Sequence, residues 1–163
     1  MGVELLEIRR ESYPAACLIG KRYHGAPDWG QWWQNGWFET LEAIPAAPLG
    51  GDAYFGASRV VGGQAERWIG MLFPAGTKAP EGFEAAEMDA RAYAVCVLRD
   101  CEGSSGFYAM ETHRMCLDAL KAHGLIHSED DWCLERYACP GFTTPDAQGR
   151  VVLEYALSVE TQV

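Results

Sequence analysis

The stretch ERWIGMLFPAGTKAPEGFEAAEMDARAYAV, Glu66 to Val95, divides the chain in two. Glu66 to Phe73 is apolar and rich in strand-forming residues, and PAGTKAPEGF is a Pro/Gly connection no helix or strand can cross. Beyond it come a short strand and then a long one, from about Arg91 to Leu98. Working back toward the N-terminus, DAYFGASRVV is a second strand, joined to the first through Gly62-Gly63 as a hairpin. Before that lies APDWGQWWQNGWFETLEAI, which carries helix signals. Asp28 is a good N-cap and Gln31, three residues on, completes a capping-box pattern.

At about 100° per residue, Trp29, Trp33, Trp37, Leu41 and Ile44 share one face of a helix over 28–44, with Trp32 at its flank. Four of the six tryptophans lie between Trp29 and Trp37. Trp29 and Trp32 stand near the helix start, where a rim or lid would be. Past the Pro/Gly connection a second helix is expected over about 105–123, stopped by Gly124, with Phe107, Met110, Leu117 and Leu120 inward. WCLERYAC and RVVLEYALSV supply two closing strands.

Strand, helix, strand, strand therefore occurs twice, at about 15–23, 28–44, 52–60 and 66–73, then 91–99, 105–123, 131–138 and 151–159. Val3 to Ile8 alternates as a further strand, broken from the next by Tyr13-Pro14. The expected fold is α+β: one domain over 1–163, with pseudo-repeats at about 1–75 and 84–163. Antiparallel strands are backed by two main helices, and a ligand cleft lies between the duplicated βαββ halves.

A formal net charge of −10 argues against direct nucleic-acid binding, which relies on clustered Lys and Arg. No apolar run reaches the roughly 18 residues of a membrane span. The N-terminus is charged throughout and lacks a signal-peptide pattern, so the expected location is cytoplasmic and the six cysteines are expected to be reduced. None forms C-x-x-C, and Gly124 interrupts the His123/His127 pair, so no metal site and no cofactor are expected. A Cys–His nucleophile pair would depend on spatial neighbours that a sequence does not display.

The run from Trp68 to Phe83, with Trp68-Ile69-Gly70, Phe73-Pro74 and Pro80-Glu81-Gly82-Phe83, resembles the GyrI-like, or AraC-type effector-binding, family of the SOUL/GyrI-like superfamily. Tyr93-Ala94-Val95, Gly103, Glu135-Arg136-Tyr137, Pro145-Asp146-Ala147-Gln148-Gly149 and Leu153-Glu154-Tyr155 follow in the family's order. The resemblance spans nearly the whole chain, most closely from about residue 52 onward. It implies a duplicated βαββ fold whose cleft accepts hydrophobic, aromatic and often cationic compounds. It further implies a bacterial, stand-alone, multidrug-binding domain without the helix-turn-helix partner of many members. A protein partner or a homodimer stays open. The tryptophan-rich first helix departs from the family pattern.

Glu135 matches the family's pocket carboxylate and Tyr137 the tyrosine beside it. Read from the strand alone, Glu135 could equally face solvent, paired to a cross-strand arginine. Trp68 is either a groove wall, with Gly70 leaving space beside it, or core; Tyr93 is either core or a ligand contact. Trp33 and Trp37 are expected where core ends and pocket begins. A carboxylate among aromatic rings suits a lipophilic cation, by charge pairing and cation–π contact. The expected function is thus binding of amphipathic, cationic aromatic molecules, for drug or toxin sensing or sequestration, rather than catalysis. Two alternatives are a hydrolase of strained electrophiles with Glu135 as general base, and a gyrase-modulating interaction protein.

Overall fold

A computed structural model of the chain describes residues 2–51 and 53–161; Asp52, where the predicted third strand opens, lies outside them. The elements are β1 (Glu4–Tyr13), β2 (Ala16–Tyr23), α1 (Trp29–Asn35), α2 (Trp37–Glu42), β3 (Tyr54–Val61), β4 (Gln64–Pro74), β5 (Glu84–Met88) and β6 (Arg91–Cys101). A 3-10 turn (Ser105–Tyr108), α3 (Met110–Ala122), β7 (Leu125–Ile126), β8 (Cys133–Tyr137), β9 (Arg150–Ser158) and β10 (Glu160–Thr161) follow. Eight strands form one antiparallel sheet in the order β1-β6-β9-β8-β3-β4-β2-β5, and β7 pairs with β10 separately. The repeat is visible in this order: β2, β3 and β4 make one half, β6, β8 and β9 the other, and β3 meets β8 at the seam.

The sheet is curled. In a flat sheet β1 and β2, six places apart, would be separated by about 29 Å. Only Pro14 and Ala15 link them, a span of at most about 11 Å. Met88 and Arg91 impose the same closure between β5 and β6. The ends of the sheet must therefore approach one another. Inside the curl pack Leu18, Phe55, Trp68, Met88, Tyr93, Val95, Trp132 and Leu134. Gly20 and Gly70 face each other in β2 and β4, and a Cβ on either would strike a backbone oxygen of the other strand, at 1.9 or 2.2 Å. Gly70 thus serves the close approach of two strand backbones, which fits the core alternative of the two readings left open for this position.

The outer face carries the helices. α1 and α2 cover Cys17, Ile19, Ile69, Met71 and Phe73, while α3 covers Ala94, Cys96, Leu98, Leu153 and Leu157. The first helix departs from the continuous 28–44 expectation. Gly36 adopts φ +65°, a left-handed turn that ends α1 and starts α2. The wheel drawn through it is therefore rotated. Trp32, Phe38 and Leu41 form the buried face, and Trp33 is 73% exposed. Trp32, expected at a rim or lid from its place near the helix start, is instead completely buried and donates to the Tyr23 hydroxyl at 3.2 Å. Asp28 caps α1 through the Gln31 N–H as expected, but the Gln31 side chain accepts from Tyr23 and does not close the box. Ala109 likewise separates the 3-10 turn from α3, so Met110, predicted inward, is exposed.

Candidate functional site

Antiparallel register fixes which side chains share a face. Lys21, Ile69, Gly56, Glu135, Tyr155, Cys96 and Ile8 are successive cross-strand partners through β2, β4, β3, β8, β9, β6 and β1. Ile69 lies under α1 and α2, and Cys96 under α3. Glu135 therefore stands midway between the two helical layers, on the seam where neither covers the sheet.

Its neighbours are shaped around it. Gly56 is the direct partner of Glu135, and a Cβ there would come within 2.4 Å of Glu135 Oε1. The absent side chain lets the carboxylate lie down over β3. Tyr137 donates to Glu135 Oε1 at 2.7 Å, and its oxygen stands 3.2 Å from the Tyr108 hydroxyl. Two rings pack on Tyr137: Trp29 meets it edge-on at 5.1 Å, and Phe142 meets it edge-on at 4.8 Å. Tyr54, the partner of Tyr137 on β3, packs on Phe38 at 4.3 Å, which in turn holds Trp33 at 4.6 Å.

The carboxylate has no salt-bridge partner among the described residues. Burial pushes its pKa above the ordinary value, and the Tyr137 hydrogen bond and the more distant Arg67 offset this only in part. The Tyr137 hydroxyl is held well above its usual range by the same burial and by the nearby carboxylate, so it remains a proton donor. Contrast Glu66, a buried carboxylate inside the curl: it accepts from Arg59 at 2.8 Å and Trp68 Nε1 at 3.0 Å, and pairs with Arg22. Its hydrogen bonds hold its pKa down despite burial. Glu66 is paired with two arginines; among the described residues Glu135 has the Tyr137 hydrogen bond and no salt bridge.

A polar cluster borders the seam. Tyr155 bonds His113 Nδ1 at 2.7 Å, and His113 Nε2 meets Glu129 at 2.9 Å. Cys133 Sγ lies 3.2 Å from His127 Nε2, whose Nδ1 donates to the Ser158 carbonyl at 2.7 Å. This is a Cys–His pair by proximity, but burial pushes the thiol up to about 12 and the imidazole down. Both groups are thereby held neutral, the reverse of an activated thiolate. No group of His, Cys, Asp and Glu suited to a metal ion occurs among the described residues.

Of the residues singled out from the sequence, Glu135 and Tyr137 are brought together. Trp33 stands outside them, on Phe38. Trp37 packs against Trp32 at 5.6 Å and Phe83 at 6.3 Å, with Lys21 Nζ 4.3 Å from its ring. Trp68 and Tyr93 lie on the opposite face, inside the curl. Trp29, expected at a rim or lid, does border the pair, whereas Tyr54, Tyr108, Phe142 and Gly56 are not singled out by the sequence as pocket residues. The only signal for Gly56 was a small residue in a strand, meaningful once its partner is known.

No family model and no curated protein sequence matches the chain. Solved structures match it in fold. A Staphylococcus aureus MU50 protein provisionally assigned to bacterial transcription regulation superposes with a TM-score of 0.65 at 14% identity, over 94% of this chain and 98% of its own. SAV2435 bound to tetraphenylphosphonium gives 0.65 at 12% identity, over 95% and 94%. The EcmrR C-terminal domain gives 0.62 at 13% identity, over 96% and 98%. The chain shares the fold of these three structures.

Proposed function

We propose that this protein binds amphipathic aromatic cations over the β3–β8 seam, for sensing or sequestration of drug-like compounds. Glu135 supplies the charge, and Trp29, Tyr54, Tyr137 and Phe142 supply ring faces and edges, with Trp33 available at the rim. One observation carries the reading: a half-buried carboxylate, its pKa raised by burial and with no salt-bridge partner among the described residues, bonded to a tyrosine whose ring is flanked by Trp29 and Phe142. Such a group is costly to keep ionised, and a lipophilic cation offsets that cost. Each ring contact to the cation adds about 0.5–2 kcal/mol. The tetraphenylphosphonium bound by a protein of the same fold supports this chemistry.

Trp29, in the first turn of α1, packs on Tyr137, so a ligand at this seam meets α1 directly. α1 has seven residues, too few to be stable alone, so its position depends on packing. Titration of tetraphenylphosphonium against tryptophan fluorescence tests the proposal, with uncharged triphenylphosphine oxide as comparator. Glu135→Gln should weaken the cation about tenfold or more, as loss of a charge-assisted contact does, and leave the neutral compound unchanged. Equal binding of both ligands to variant and wild type would sink the reading.

A further inference from the structure

A second concavity lies on the other side of β8. Side chains alternate along a strand, so Arg136, between Glu135 and Tyr137, points into the curled sheet, where its cross-strand partners are Phe55 and Glu154. At that mouth the β1–β2 turn and the segment around Leu49 and Gly50 leave a cavity of about 390 Å³. This volume is at the lower end of small-molecule sites, which run from roughly 300 to 1,000 Å³.

The walls define an occupant. Leu49, Phe55 and Leu72 give an apolar floor, and Ala16 is too small to fill the space above it. Glu154 bridges two guanidiniums at the rim, Arg9 at 2.6 Å and Arg136 at 2.9 Å, while Glu11 takes the Arg9 Nε at 3.1 Å. Two cations are matched by two carboxylates, so a charged ligand would have to break an existing pair. Tyr13 lines the same cavity, and its hydroxyl makes no hydrogen bond among the described residues. Burial pushes that hydroxyl up to about 12, so it keeps its proton.

We propose that this cavity is a second binding site, for an uncharged one- or two-ring compound whose hydroxyl or carbonyl group bonds the free Tyr13 hydroxyl. It is independent of the Glu135 site, since the two open on opposite faces of β8. The probe is 1-naphthol, titrated calorimetrically into the full chain with and without saturating tetraphenylphosphonium. Saturable binding of 1-naphthol that persists in the presence of the cation is expected. Tyr13→Phe should weaken it by about 3- to 10-fold, the value of one hydrogen bond. Leu49→Trp, which fills the cavity while leaving the Leu49 N–H free to bond the Leu72 carbonyl, should abolish it without affecting tetraphenylphosphonium. Ionised 1-naphthoate should bind at least about tenfold more weakly, because it must disturb the rim pairs. The proposal is overturned if 1-naphthol does not bind saturably, or if Tyr13→Phe and Leu49→Trp both bind it like wild type. Displacement by tetraphenylphosphonium would assign 1-naphthol to the Glu135 seam and also refute the second site.

Discussion

At the scale of single residues, Glu135 and Gly56 act as a unit. Gly56→Ala would drive its methyl into the carboxylate, the movable end of a side chain, so the strand itself need not shift. Because Ala suits a strand interior better than Gly by about 0.5–1 kcal/mol, stability in urea should change by about 1 kcal/mol or less. Tetraphenylphosphonium affinity should nevertheless fall several-fold, since Glu135 must leave its Tyr137 hydrogen bond. The pH dependence has a definite sign. A carboxyl whose folded pKa is raised above the ordinary 4.5 stabilises the fold most below that value, and this contribution is lost as pH rises through the folded pKa. Above it the ionised Glu135 destabilises the native state, so Glu135→Gln should melt higher than wild type at neutral pH while binding the cation worse. Cation affinity in the wild type should decline on acidification through that same raised value. His127 works in the opposite direction. Its folded pKa is depressed by burial, so stability present above the ordinary 6.5 is lost as pH falls, and His127→Asn should be less acid-sensitive in a melting series.

At the scale of elements, the break at Gly36 is the point where reading the chain and folding it part company. The N-cap, the strand pairs, the Gly62-Gly63 turn and the stop at Gly124 are all encoded locally, and each was legible. The left-handed turn at Gly36 was not, because a glycine inside an apolar helical period signals either tolerance or termination. Packing chose termination: it lets Trp32 and Phe38 both reach the sheet, their rings 5.0 Å apart. Gly36→Ala should cost about 1–2 kcal/mol in a denaturant titration, the penalty of a left-handed non-glycine residue. It should also raise the mobility of Trp33, seen as a change in its fluorescence quenching by iodide. Strand periodicity put Glu135 and Tyr137 on one face without help from the structure. It could not tell that Trp68, on β4, belongs to the opposite face, because register between strands distant in sequence is a tertiary property.

At the scale of the whole molecule, the curl of the sheet creates two separate interiors from one layer of strands. It places Trp68, Tyr93 and Trp132 inside and leaves the outer face for helices. Cysteine accessibility reports on this arrangement. Cys17, Cys96, Cys116 and Cys133 are buried, whereas Cys101 and Cys139 are exposed, and all six are free thiols. A thiol reagent such as 5,5′-dithiobis(2-nitrobenzoate) should therefore modify two groups rapidly and the other four only at the rate of unfolding. Rapid reaction of more than two would show that the helical layers open far more readily than their packing implies.

The amino-acid order alone determined the duplicated strand–helix–strand–strand plan, the antiparallel hairpins and the pairing of Glu135 with Tyr137 on one strand face. These depend on local periodicity, on turn residues and on side-chain alternation. Which tryptophans are core, which face of β4 meets the seam, and how Gly56 yields its space to a carboxylate were decided by closure of the sheet and by cross-strand register. Those are contacts between residues some eighty positions apart, such as Gly56 and Glu135, and they exist only once the two halves meet.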